Sequence, residues 1–220
     1  MTQIIPSIIG QNFTEVRAKL EQLETFSDWA QLDISDGIFT PVYTWQNPAD
    51  LKEIGGKLRL EAHLMIDDPN AVIEEWFTYV DRVIIHIEAV GDLEVLLKKY
   101  SDTPQGIGLA INFDTPLSVV TPYLNQIKVL QLMSIKKLGA YGEAFVVETV
   151  ARVKELKQSF PNLKIAVDGG IKLAEAELLF AAGVDHLVVG SAIWNEADPN
   201  TALAQFQALA DKFAEIKYVA

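Results

Sequence analysis

The chain has no cysteine among its 220 residues, which removes disulfides, thiolate metal sites and cysteine nucleophiles together. That fits a chain with no reliance on an oxidising compartment, and the cytoplasm is the expected location. Positive charge is scarce too: Lys and Arg total 18 against 30 Asp and Glu, for a net charge of -12. The phosphates of nucleic acid and anionic lipid are therefore disfavoured as primary partners. No apolar run approaches the ~18 residues that span a bilayer, and "MTQIIPSIIGQNF" lacks the basic start and long apolar stretch of a leader. The expected partner is a small molecule, with neither nucleic acid nor membrane, and a homo-oligomer is compatible with the sequence. A small anion is not excluded, because a few aimed backbone N–H groups hold one phosphate whatever the total charge.

What the chain does have is apolar residues in a regular rhythm. Half its residues are hydrophobic, enough for a sizeable core without staples. Short β-rich runs recur: "QIIPSII", "WAQLDIS", "LRLEAHLM", "RVIIHIEA", "GIGLAIN", "VLQLMSI", "LKIAVDG" and "HLVVGSA". Between them the spacing is helical, as in Phe13, Val16, Leu20 and Leu23 after an Asn12 cap, or Leu203, Phe206, Leu209, Phe213 and Ile216. Eight near-continuous apolar strands, each followed by an amphipathic helix, predict a parallel sheet covered by helices. With no linker or shift in composition, one (β/α)8 TIM barrel domain over residues 1–220 is the economical reading. A doubly wound open sheet is the alternative, since periodicity does not show closure.

The polar residues fall late in the strands or just after them: Ser7, Asp33, His63, Asn112, Asp168 and Ser191, with Met133 among them. In a barrel those ends converge on one face, where active sites are built. Asp33 and Asp168, at the ends of the second and seventh strands, form a pair that can take a proton from one face of a carbon and return one to the other. That is the chemistry of epimerisation; the plainer alternative is helix capping or pairing with surface cations. His63 can join them as a metal ligand, since imidazole with carboxylate suits zinc, iron or manganese. Gly169 and Gly170 in "VDGGIK", with Gly190 and Ser191 in "VVGSAIW", leave backbone N–H groups open after the last two strands, where barrels commonly seat a phosphate. Asp36, followed by Gly37, reads as a turn residue. His86 and His186 have no constellation and receive no role, and the four Trp residues are read as packing.

Seven pieces, in order, resemble the ribulose-phosphate 3-epimerase family over nearly the whole chain: "PSII" with Ser7, "LDISDGIFTP" with Asp33, "HLMI" with His63 and Met65, "TPL" at 115–117, "MS" at 133–134, "VDGGI" with Asp168, and "GSAI" with Ser191. The resemblance implies a (β/α)8 enzyme that interconverts D-ribulose 5-phosphate and D-xylulose 5-phosphate, with Asp33 and Asp168 as the acid/base pair. It implies a divalent metal (Zn, Fe or Mn) held by Asp33, His63 and Asp168. It further implies Ser7 and His63 against the substrate, Met65 and Met133 flanking the intermediate, and Gly169, Gly170, Gly190 and Ser191 around the phosphate.

Three departures fall in the site. Gln31 stands where the family has its second histidine ligand; an amide oxygen is a weaker ligand for zinc and favours a harder ion such as Mn2+ or Mg2+. Ser35 replaces a methionine, which predicts a roomier, wetter pocket. The loop "KKLGAYGE" replaces a glycine-rich lid, and its Lys136 and Lys137 read as a solvated pair. A relative acting on another ketose phosphate, and a sugar-phosphate binder without catalysis, are the competing readings. Barrels that use Asp-x-Lys-x-x-Asp for decarboxylation or hexulose phosphate synthesis fit poorly, because "DISDG" has no lysine at the required place.

Overall fold

The eight apolar runs become eight parallel strands, each bonded to the next until the eighth closes on the first. They are β1 (Gln3–Ile8), β2 (Trp29–Ser35), β3 (Arg59–Met65), β4 (Arg82–His86), β5 (Ile107–Ile111), β6 (Val129–Met133), β7 (Lys164–Asp168) and β8 (His186–Val189). Closure decides against the open sheet. The structure is a computed structural model that describes residues 2–101, 106–139 and 142–219, with side chains described through residue 215.

The surrounding helices are α1 (Phe13–Leu23), α2 (Ile73–Phe77), α3 (Leu93–Lys99), α4 (Leu117–Val120), α5 (Thr149–Ser159), α6 (Leu173–Ala182), α7 (Ser191–Trp194) and α8 (Pro199–Val219). Asn12 caps α1 as expected, its Oδ1 accepting from the Glu15 amide at 3.1 Å, and Val16, Leu20 and Leu23 are buried beneath it. Leu203 and Phe206 anchor α8, Leu209 and Phe213 pack at its margin, and the side chain of Ile216 lies outside the described residues. One expected helix is missing. Between β2 and β3 there is only a 3₁₀ segment, Pro48–Glu53, and Gly55-Gly56 close behind disfavours its extension.

Three groups of side chains make up the core. The larger core lies between strands and helices, while Ile84, Ala110, Val129 and Ala166 form a small layer of their own, and Ile5, Trp29 and Val188 another. Trp29, Trp45 and Trp76 are buried as packing residues, and Trp194 is partly buried with its Nε1 donating to the Ser7 carbonyl at 2.6 Å. Among the described residues no helix is long and apolar enough to cross a membrane.

Candidate active site

Strand alternation determines what reaches the barrel axis. On β2 one face carries Trp29, Gln31, Asp33 and Ser35 in turn; on β3 the aligned residues are Glu61, His63 and Met65. The β6–β7 register sets Gln131 beside Ala166 and Met133 beside Asp168. Closure then brings β2, β3, β6 and β7 together around one point.

At that point His63 Nδ1 lies 3.2 Å from Asp33 Oδ1 and 3.5 Å from Asp168 Oδ2. Gln31 Nε2 donates to both carboxylates, at 2.8 Å each, and Gln131 Nε2 donates to Asp168 Oδ2 at 2.9 Å. Gln31, His63 and Gln131 are fully buried, while Asp33 and Asp168 are each 7% exposed at the floor of a cleft. That cleft is small and opens to solvent at the mouth of the barrel. Ser7, Asp33, His63, Met65, Met133, Asp168, Gly169, Gly170, Gly190 and Ser191 all line it. Every expected site residue is thus in one place except Gln31, which lies beneath the carboxylates and is not part of the lining.

Gly169 and Gly170 form the turn after β7 with φ of 115° and 68°, a conformation that side chains resist. A Cβ on Gly170 would lie 2.6 Å from the Phe145 amide nitrogen, so no larger residue fits there. Ser134 fastens the same turn, its hydroxyl within reach of the Asp168 and Gly169 carbonyls at 2.9 and 2.6 Å. Asp36 is the turn residue its neighbour Gly37 suggested: Oδ1 accepts from the Ile38 and Phe39 amides and Oδ2 from that of Asp67.

Two expectations need correction, and one residue was missed. His86 does have a constellation: its Nε2 is 2.9 Å from His63 Nε2, and its Nδ1 is 3.3 Å from Glu88 Oε2. Glu88 in turn accepts from Thr115 Oγ1 and the Asn112 amide. Ser35 does not wet the pocket; it is fully buried, its hydroxyl directed at Met65 Sδ, and its amide is held by Thr44 Oγ1. Gln131, absent from the sequence reading, is the second amide in the cluster. The signal was there, since Gln131 interrupts an apolar strand two residues before Met133 and on the same face. Lys136 and Lys137 are exposed and line a separate hollow with Phe39, Asn112 and Phe113, while Ala140 and Tyr141 of their loop lie outside the described residues.

The hydrogen bonds dictate the tautomers. Burial would raise the Glu88 carboxyl, but its bonds from His86, Thr115 and the Asn112 amide draw it down to about 2, so it is ionised and only accepts. Burial takes His86 down to about 4, so it is neutral with its proton on Nδ1 toward Glu88. Its bare Nε2 then accepts from His63 Nε2–H. His63 is left with Nδ1 facing the two carboxylates, the orientation of a metal ligand with its other nitrogen fixed by a partner behind it. Burial alone would lower His63, yet the bonded Asp33 and then Asp168 hold it above its ordinary value. Asp168 is pushed up to about 7 by burial and by the nearby Asp33 charge.

The donor set fits a divalent cation. Ligand atoms of Asp33, His63 and Asp168 all lie within 4.8 Å of one another, and all three residues are buried. Two further oxygens at the cluster, Gln31 Oε1 and Gln131 Oε1, are buried without a hydrogen-bond partner.

Fold and site together define a (β/α)8 barrel whose mouth holds paired carboxylates capable of proton transfer on a ligand in the cleft. Comparison with known proteins names the group within that class. Residues 3–194 match the ribulose-phosphate 3 epimerase family. A ribulose-phosphate 3-epimerase from Chlamydia pneumoniae is 34% identical over 88% of this chain and 87% of that protein. One from Bacillus subtilis is 26% identical over 94% and 99%. The chain belongs to the ribulose-phosphate 3-epimerase family and is an isomerase-type enzyme. The barrel also superposes on 3-hexulose-6-phosphate synthase from Salmonella typhimurium with a TM-score of 0.72, at 14% identity and covering 96% and 100% of the two chains, a likeness of fold alone.

Proposed function

We propose that the protein is a sugar-phosphate 3-epimerase that interconverts D-ribulose 5-phosphate and D-xylulose 5-phosphate. The observation that carries this reading is the cleft itself: Asp33, Asp168 and the glycine turns after β7 and β8 line one space. Asp33 Oδ1 and Asp168 Oδ2 are engaged by the Gln31 amide, which leaves the second oxygen of each carboxylate for substrate.

In one direction Asp33 takes the C3 proton, the C–H electron pair moves into the C2 carbonyl, and an enediolate forms. Asp168, acting as the acid, delivers a proton to the opposite face of C3. In the reverse direction the roles exchange. The backbone of Gly169, Gly170 and Gly190, with Ser191, receives the phosphate, while Met65 and Met133 offer apolar walls beside the reacting carbons. Ser7 contacts the sugar. Asp33, His63 and Asp168 would hold a divalent metal, with Gln31 as a further donor. The chemistry such a cation supplies is polarisation of the ketone oxygen.

The test is incubation with D-ribulose 5-phosphate in D2O, with NMR detection at C3. Deuterium entry accompanied by xylulose 5-phosphate supports the reading; binding without exchange overturns it. A second reading, epimerisation of a different ketose phosphate, is favoured by Glu143, whose carboxylate belongs to a residue lining the same cleft as Gly170 and Ser191. A panel of phosphorylated ketoses separates the two.

A further inference from the structure

We infer that Gln131 is a fifth donor to the cation, so that this site is an oxygen-rich, Mn2+-type centre rather than a four-ligand zinc site. The inference rests on the epimerase reading only in expecting a cation between Asp33 and Asp168. Two ligands at right angles, each about 2.1 Å from an ion, lie about 3 Å apart. The five inward atoms meet that condition: the contacts among Gln31 Nε2, Asp33 Oδ1, His63 Nδ1, Gln131 Nε2 and Asp168 Oδ2 run from 2.8 to 3.5 Å. Their spacing is that of one coordination shell.

Both amides turn nitrogen inward, which answers two carboxylates when no cation lies between them. Rotation about the last side-chain torsion exchanges nitrogen and oxygen at nearly the same positions. Nothing donates to either outer oxygen, so no hydrogen bond at that end holds the nitrogen inward. With a dication present the inward atoms become Gln31 Oε1 and Gln131 Oε1. The donors are then two carboxylates, two amide oxygens and one imidazole, a set that suits Mn2+ or Mg2+. Zinc prefers four ligands rich in nitrogen and sulfur. Gln131 is therefore the residue that separates the two kinds of site.

The experiment is Mn2+ binding measured by loss of the free-ion EPR signal, with Zn2+ binding measured by calorimetry, on the wild type, Gln131→Leu and Gln131→Glu, each checked for folding by circular dichroism. Gln131→Leu should weaken Mn2+ at least ten-fold and Zn2+ less, and Gln131→Glu should tighten Mn2+. Unchanged Mn2+ affinity in both variants, equal loss of the two metals, or no Mn2+ binding by the wild type overturns the inference. If Gln131→Leu fails to fold, Gln131→Glu decides. Deuterium exchange at C3 is scored separately. Exchange with no dependence of Mn2+ binding on Gln131 removes the fifth donor alone; Gln131-dependent binding without exchange removes the epimerase reading alone.

Discussion

The barrel buries charge at both ends, and it does so differently. At the N-terminal end Glu61 and Arg82 form an ion pair, with Arg82 Nε donating to Glu61 Oε2 at 2.7 Å and Nη2 donating to the same oxygen. The Arg82 guanidinium lies 4.5 Å from the centroid of the Trp29 ring, and that of Arg59 lies 4.6 Å away. Each buried charge there has its opposite. At the mouth, two carboxylates face one imidazole and two neutral amides. Burial raises both Glu61 and Asp168, but the next influence on Glu61 is the opposing Arg82 cation, whereas on Asp168 it is the like charge of Asp33. An uncompensated pair inside a protein is unfavourable for the fold and useful for chemistry. The floor is built for stability, and the mouth is built to receive something.

Exchanging the two ends mutation by mutation tests that division. The largest effect is expected at the mouth: Asp33→Asn or Asp168→Asn should lower kcat for C3 exchange by about 10²–10⁴-fold without lowering the urea midpoint. At the floor, Arg82→Met strands the Glu61 carboxylate. Breaking a buried pair in this way costs about 3–5 kcal/mol, to be read from urea unfolding, while kcat and KM in the remaining folded protein stay at wild-type values. Near wild-type turnover in both Asn variants, or loss of turnover in Arg82→Met matching theirs, would show that the ends do not divide the labour.

The pH dependence sharpens the same contrast. Folded Asp168 titrates at about 7 against a reference value of 3.8, so between those values the folded state holds a proton that the unfolded state has released. By linkage the wild type loses stability as pH rises through that window. Asp168→Asn has no such group. In EDTA, the melting temperature of the variant minus that of the wild type should therefore grow from pH 5 to pH 8, the difference cancelling contributions common to both proteins, such as those of His86 and His186. Saturating Mn2+ should shrink or reverse the gap, because the cation compensates the wild-type carboxylate and has less to hold in the variant.

How much of this was legible in the sequence follows from the physics of each signal. The strands, their closure-compatible number and the polar residues at their ends were readable, because alternation and strand-end placement are local properties. Asp33, His63 and Asp168 could be grouped because carboxylates and imidazoles at strand ends are chemically conspicuous. Gln131 and His86 could not be placed in the same way. An amide carries no charge to mark it, and the significance of both residues comes from register: His63 aligns with Ile84, which sets His86 two residues further along on the same face. Ser35 shows the opposite error. Its hydroxyl suggested a wet pocket, but the neighbouring thioether of Met65 occupies the direction it would have opened.

The smallest expected effect is at the rim of the mouth, where uncompensated charge touches the ligand rather than the fold. Glu143 lines the cleft with Gly170, Gly190 and Ser191, so it shares that space with the phosphate proposed there. Glu143 is only half-buried, and solvent screens much of the repulsion. Glu143→Gln removes it while keeping the shape of the side chain. KM for ribulose 5-phosphate should fall severalfold at low ionic strength, converging with wild type as salt is added, with kcat and the urea midpoint unchanged. A fall in kcat instead would place Glu143 among the groups that touch the reacting carbons. An unchanged KM at low salt would place the phosphate away from the turns after β7 and β8.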